Sequence, residues 1–148
     1  MSTPLEDYAL LSDLHTGPLL SRNGSIDWLC LPRFDSSAVF SAILGDADDG
    51  CWRLDAVDGE VEDWSYRPGT FVVDTTWRTP TGRVRVTDFL PPSSMQADLV
   101  RRVECLEGTV RVEHDLRIRF DYARATPGSG RSTLLAARRC SPSPDPMP

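Results

Sequence analysis

Thr109-Val110-Arg111-Val112-Glu113-His114-Asp115-Leu116-Arg117-Ile118-Arg119-Phe120 alternates almost without a break. Val110, Val112, His114, Leu116, Ile118 and Phe120 fall on one face of an extended chain; Arg111, Glu113, Asp115, Arg117, Arg119 and Asp121 fall on the other. Successive side chains of a strand point to opposite faces, so a period of two predicts antiparallel sheet, buried on one side and wet on the other. Residues 99–106 read as the hairpin partner of this strand, joined to it across Glu107-Gly108.

Working upstream, the same signature repeats. Residues 83–90 (Arg-Val-Arg-Val-Thr-Asp-Phe-Leu) set valines against arginines, and Pro80-Thr81-Gly82 turns them onto the β-branched and aromatic run 70–79. Residues 51–54 and 61–66 flank a turn at Asp58-Gly59. Asn23-Gly24 lies between the apolar runs 19–21 and 25–31, which predicts a hairpin with a type I′ turn. Residues 8–11 make a short apolar start, and Pro32 and Pro91-Pro92 end strands. One short helix is expected near residues 36–44. Asp35, Ser36 or Ser37 would cap it, Val39, Phe40, Ile43 and Leu44 would form its apolar face, and Gly45 would stop it. The fold class is therefore all-β, an antiparallel β-sandwich with one short helix.

Composition bounds the function. The chain has 148 residues, all 16 of its basic residues are Arg, and its net charge is −6. That length suits a single domain. A net acidic chain with scattered Arg excludes general nucleic-acid binding through phosphates. Total avoidance of Lys points to GC-rich coding DNA rather than to a functional demand. No apolar run approaches a membrane span, and the start Met1-Ser2-Thr3-Pro4-Leu5-Glu6-Asp7 lacks the basic and apolar regions of a secretory signal, so a cytoplasmic location is expected. The four cysteines, Cys30, Cys51, Cys105 and Cys140, form no CxxC pair and sit apart from His15 and His114. Small buried thiols are expected, with no metal and no cofactor. From residue 128 the chain turns rich in Arg, Ser and Pro and ends Ser-Pro-Ser-Pro-Asp-Pro-Met-Pro, so residues 128–148 read as a disordered tail beside a domain at 1–127.

A family resemblance enters on particular residues. Glu6-Asp7-Tyr8-Ala9-Leu10-Leu11-Ser12-Asp13, His15-Thr16 and Arg22-Asn23-Gly24-Ser25-Ile26-Asp27-Trp28-Leu29-Cys30-Leu31-Pro32-Arg33-Phe34-Asp35-Ser36 resemble the N-terminal domain of bacterial glycoside hydrolase family 15, the glucoamylase and trehalase-like family. Gly50-Cys51-Trp52, Tyr66-Arg67-Pro68-Gly69-Thr70, Val86-Thr87-Asp88-Phe89-Leu90-Pro91, Leu99-Val100-Arg101-Arg102-Val103 and Arg119-Phe120-Asp121-Tyr122 fit it too. The resemblance implies a non-catalytic β-sandwich that precedes a helical-toroid catalytic domain, whose two glutamates carry out an inverting hydrolysis of α-glucan or trehalose. No glutamate of this chain matches those two positions, so no hydrolysis by this chain alone is expected. The resemblance fades after Pro127. This implies an incomplete sandwich, from a truncated or frame-shifted gene or from a natural short form. An unpaired strand edge would then invite self-association.

Candidate sites follow, each with a plainer alternative. Asp27, Asp35 and Asp88 could supply an acid–base pair, although Asp35 also reads as a helix cap and Asp27 as the wet face of a strand. Arg33, Phe34 and Asp35 stand on a corner after Pro32. They could meet the catalytic domain or rim its substrate site, with Arg33 on sugar hydroxyls and Phe34 on a ring, or they could simply stiffen the corner. Trp28, Trp52, Trp64 and Trp77 raise the alternative of a free-standing carbohydrate-binding sandwich. Trp28 and Trp77 read as core, and Trp64, between Asp63 and Ser65, as the exposed candidate.

Overall fold

In a computed structural model, residues 3–92 and 97–124 are described, together with the backbone of residues 136–139. Among the described residues, all regular structure longer than one helical turn is strand. The strands are β1 (Tyr8–Leu10), β2 (Leu19–Ser21), β3 (Ser25–Cys30), β4 (Ala38–Phe40), β5 (Cys51–Ala56), β6 (Glu60–Tyr66), β7 (Val73–Thr79), β8 (Gly82–Phe89), β9 (Val100–Arg117) and β10 (Ala136–Arg139). They form one antiparallel sheet in the order β1-β2-β3-β5-β9-β8-β7-β6, with β4 added to β3 and β10 to β9. The sheet curls until its two halves face each other. One core cluster joins Ala9, Leu20, Ile26, Leu29 and Phe40 of the first half to Val73 of β7, with Trp64 of β6 packed against it. A second joins Leu54 and Ala56 of β5 to Trp77, Val84, Val86, Val110 and Val112. The sandwich expected from the sequence is thus a single sheet folded over on itself.

The expected helix near residues 36–44 is absent. Residues 38–40 pair with β3 instead, Leu29 opposite Phe40 and Cys30 opposite Ala38, and only a 3₁₀ turn, Ala42–Leu44, follows. The strand buries Ala38 and Phe40 and satisfies backbone groups on β3, whereas so short a helix could not repay its own nucleation. Gly45 does end the turn, its amide donating to the Ala42 carbonyl at 3.2 Å.

Two turns differ from expectation. Between β2 and β3 the Gly24 amide donates to the Ser21 carbonyl, and Gly24 alone takes a positive φ, of 85°. The loop is therefore a three-residue connection closed by a left-handed glycine rather than a type I′ turn. The larger difference lies at Glu107-Gly108, where no hairpin forms and β9 runs straight through for 18 residues. Its first part pairs with β8, from Phe89 opposite Val100 to Gly82 opposite Gly108, and its last part with β5, from Ala56 opposite Val112 to Cys51 opposite Arg117. Gly108 has φ 65°, and a Cβ there would lie 2.1 Å from the Thr81 carbonyl oxygen, so only glycine allows this approach of the two backbones; the register on β8 slips just before it, where Arg83 faces Glu107 but Val84 faces Cys105.

The alternation along residues 109–120 is seen in burial at residues 110–112, and beyond them residues 113–119 are half-buried on both faces. Val110 and Val112 are buried, while Leu116 and Ile118 pack against the first cluster. Phe120 is exposed. The tail expected at 128–148 lies outside the described residues except for β10, where Ala136–Arg139 pairs with Thr109–Val112.

Candidate functional site

Two loops meet at one end of the curled sheet. The first, residues 11–18, leaves β1. Buried Asp13 accepts two backbone amides through Oδ1, from His15 at 2.9 Å and from Thr16 at 2.8 Å. The Ser12 hydroxyl donates to the Thr16 carbonyl at 3.0 Å, and the fully buried Thr16 hydroxyl donates to the carbonyl of Cys30. A loop tied down this tightly puts Leu14 in the left-handed region, φ 73°, and turns its side chain outward, 79% exposed.

The second loop, residues 31–37, is the corner after Pro32. The Phe34 amide donates to the His15 carbonyl at 2.9 Å, which fastens one loop to the other. The Ser36 amide donates to the Arg33 carbonyl, and the Arg33 amide donates to Ser36 Oγ. Arg33 forks onto Asp35, with Nε on Oδ1 at 3.0 Å and Nη2 on Oδ2 at 3.1 Å. Both side chains are largely exposed, so the pair adds little stability, but it holds two planar polar groups at the surface. The Phe34 ring is 56% exposed. At Gly17 an added Cβ would lie 2.7 Å from Leu10 Cδ1 and 2.9 Å from Phe34 Cε1, so this glycine lets an apolar floor close beneath the corner. Leu14, His15, Arg33, Phe34 and Asp35 together line an open cleft of about 340 Å³.

Of the residues picked out in the sequence, Arg33, Phe34 and Asp35 share this cleft. Asp35 caps no helix. Trp64 is elsewhere, on β6. It is half-buried against the first core cluster, with the Arg22 guanidinium 5.9 Å from its ring centroid, rather than standing open in solvent. Trp77 is core, as read. Trp28, read as core, is half-buried and tilts on Tyr122 at 6.2 Å.

The three aspartates are each engaged by different partners. Asp27 accepts from the Tyr8 hydroxyl at 2.7 Å and from Ser25 Oγ. Burial, then the hydrogen bond and charge of Asp27, push the Tyr8 phenol up to about 12. Asp35 is held by Arg33. Asp88 is wholly buried and cross-strand to Arg101, whose Nε donates to Oδ1 at 2.7 Å. The same guanidinium donates to the carbonyls of Trp52 at 2.6 Å and Gly24 at 2.8 Å, and lies over the Trp52 ring, 5.4 Å from its centroid. Such a pair clamps four segments and presents nothing to a substrate. The sequence reading named Asp88 but missed Arg101, and it missed Leu14 and His15 as partners of the corner.

Among the described residues no group of three or more His, Cys, Asp or Glu side chains is placed to hold a metal ion, and no helix is long and apolar enough to cross a membrane. Cys30 and Cys51 are buried free thiols, and burial pushes both up from the ordinary range. Cys105 departs from the thiol reading, being disulfide-bonded.

Residues 1–129 match the family model described as trehalase-like, N-terminal. The chain belongs to the trehalase-like N-terminal family. Relatives of this trehalase-like domain carry the same word in their names. The trehalase of Mycolicibacterium smegmatis is 36% identical over 98% of this chain and 25% of its own length. The trehalase of Mycobacterium tuberculosis is 38% identical over 82% of this chain and 21% of its own, and that of Thermoplasma volcanium 30% identical over 83% and 21%. The trehalase-like chain thus spans about a quarter or less of the relatives it matches. No solved structure matches it.

Proposed function

We propose that this chain is the non-catalytic N-terminal β-domain of a trehalase-like glycoside hydrolase of the family 15 type, acting on α-glucosidic bonds. Its work is to pack against a catalytic part, support the folding of that part and shape the approach to its substrate site. The observation that carries this reading is the family match over residues 1–129 in a chain that spans only a quarter of its trehalase relatives. The separate engagement of Asp27, Asp35 and Asp88 supports it, because inverting hydrolysis needs an acid and a base facing each other across the sugar, about 6.5–9.5 Å apart. Asp88 is neutralised by Arg101 away from solvent, and Asp27 and Asp35 are each occupied by their own partners. The corner at Arg33, Phe34 and Asp35 is the face we assign to the substrate entrance.

The alternative, a free-standing carbohydrate-binding sandwich, loses its strongest platform, since Trp64 is half-buried under Arg22. A chimera tests the proposal. Residues 1–127 replace the matching segment of the Mycolicibacterium smegmatis trehalase, and glucose release from trehalose is followed for the chimera and for the chain alone. The chimera is expected to hydrolyse trehalose and the chain alone to release nothing. Glucose release by the chain alone would overturn the reading, as would a folded but inactive chimera.

A further inference from the structure

We infer that the cleft between Leu14 and Phe34 is itself a subsite for an uncharged sugar ring of α-glucoside type, with Phe34 as its platform and the Arg33–Asp35 pair as its polar rim. The inference gives a substrate class to the corner assigned above, and rests on that assignment for the choice of sugar.

Four features support it. The platform is both exposed and ordered: the Phe34 ring is more than half open to solvent, while its amide is bonded to His15 and its edge rests over Gly17 beside Leu10. An aromatic face held in water by its own backbone gains free energy from any flat apolar partner, and the C–H face of a pyranose is one. The rim has the right polarity. Arg33 spends Nε and Nη2 on Asp35 and keeps Nη1, while the Asp35 oxygens retain lone pairs, so donor and acceptor stand side by side as vicinal hydroxyls require. The rim also has the right charge, since a cation and an anion bonded to each other leave a neutral edge, which favours a neutral ligand over a phosphate or carboxylate. Finally, about 340 Å³ lies at the lower end of the 300–1,000 Å³ common for small-molecule sites, room for one or two rings.

Saturation-transfer NMR on the full chain tests this, with trehalose as the probe and sorbitol as a polyol of similar hydroxyl content that offers no ring face. Transfer to trehalose is expected, with an affinity on the order of millimolar, as befits one open aromatic platform. Phe34→Ala should abolish the transfer, and Arg33→Ala should weaken affinity about fivefold, with unchanged circular dichroism in both. Phe34 and Arg33 are exposed, so neither change threatens the fold. No transfer at about 50 mM trehalose, equal transfer to sorbitol, or transfer that survives Phe34→Ala would each overturn the inference. The chimera decides the domain reading separately: an active chimera with no sugar binding by the chain removes the subsite and leaves the domain in place.

Discussion

Asp88 shows how much one residue can carry. Taking a carboxylate out of water costs several kcal/mol unless a partner of opposite charge and good geometry replaces the solvent. Arg101 supplies that partner, donating to both Asp88 oxygens, and its guanidinium also holds the Trp52 and Gly24 carbonyls. Burial pushes the Asp88 carboxyl up, and the adjacent guanidinium opposes it. Asp88→Asn strands the guanidinium, so a loss of about 3–5 kcal/mol in urea unfolding is expected. Tyr8 gives a prediction of different kind. Its folded phenol titrates at about 12 against an ordinary 10.0, so the native state holds the proton more tightly between those values. The resulting stabilisation is complete below pH 10 and is lost as pH rises toward 12. Absorbance titration of the wild type minus Tyr8→Phe should show a phenolate step near 12, and Asp27→Asn should move that step downward. Asp88 was legible in part, because it follows Val84 and Val86 on the inward face of the same alternation. Arg101 was not, since nothing in the sequence says which strand lies opposite.

Elements were legible wherever their own period decides them, and illegible where a distant partner does. The alternations in β8 and β9 could be read directly, and the valines they placed inside are inside. Residues 38–44 have apolar spacing that suits a helix, yet the free backbone of β3 claims residues 38–40. Glu107-Gly108 has the composition of a hairpin turn, but each side of it already has a partner, β8 on one and β5 on the other, so the chain has no need to reverse. What Gly108 supplies is room and a left-handed φ. Gly108→Ala puts a methyl into the Thr81 carbonyl and forces a left-handed alanine, so a loss of roughly 3 kcal/mol is expected on unfolding, above the 1–2 kcal/mol of the conformational penalty alone. The candidate corner was legible as a corner, from Pro32 and the residues after it. That it faces Leu14 and His15 was not, because the link is a single backbone bond from Phe34 to His15.

At the scale of the whole molecule, the curl brings the ends of the strand order together. β1 and β6 are the outer strands, and the Tyr66 hydroxyl of β6 donates to the Leu10 carbonyl of β1 at 3.0 Å. Tyr66→Phe removes this side-chain hydrogen bond across the seam, so faster amide exchange in β1 is expected, with a cost of at most about 1 kcal/mol because the bond is exposed. The edges are also guarded against pairing with other chains: β1 has three residues, and β6 carries Glu60, Glu62 and Asp63. Of this strand order the sequence showed only the neighbours joined by short turns, β2 with β3 and β7 with β8; the pairings of β3 with β5 and of β5 with β9 join strands distant along the chain and could not be read. The uninterrupted course of β9 has a consequence for how the molecule comes apart. Since one strand belongs to both halves, no plane separates them without crossing a covalent backbone, and neither half can melt while the other stays intact. Calorimetry should therefore find a single transition with matching calorimetric and van't Hoff enthalpies. A protease site opened between Glu107 and Gly108 should turn a domain that resists cleavage into two pieces that fall apart on dilution.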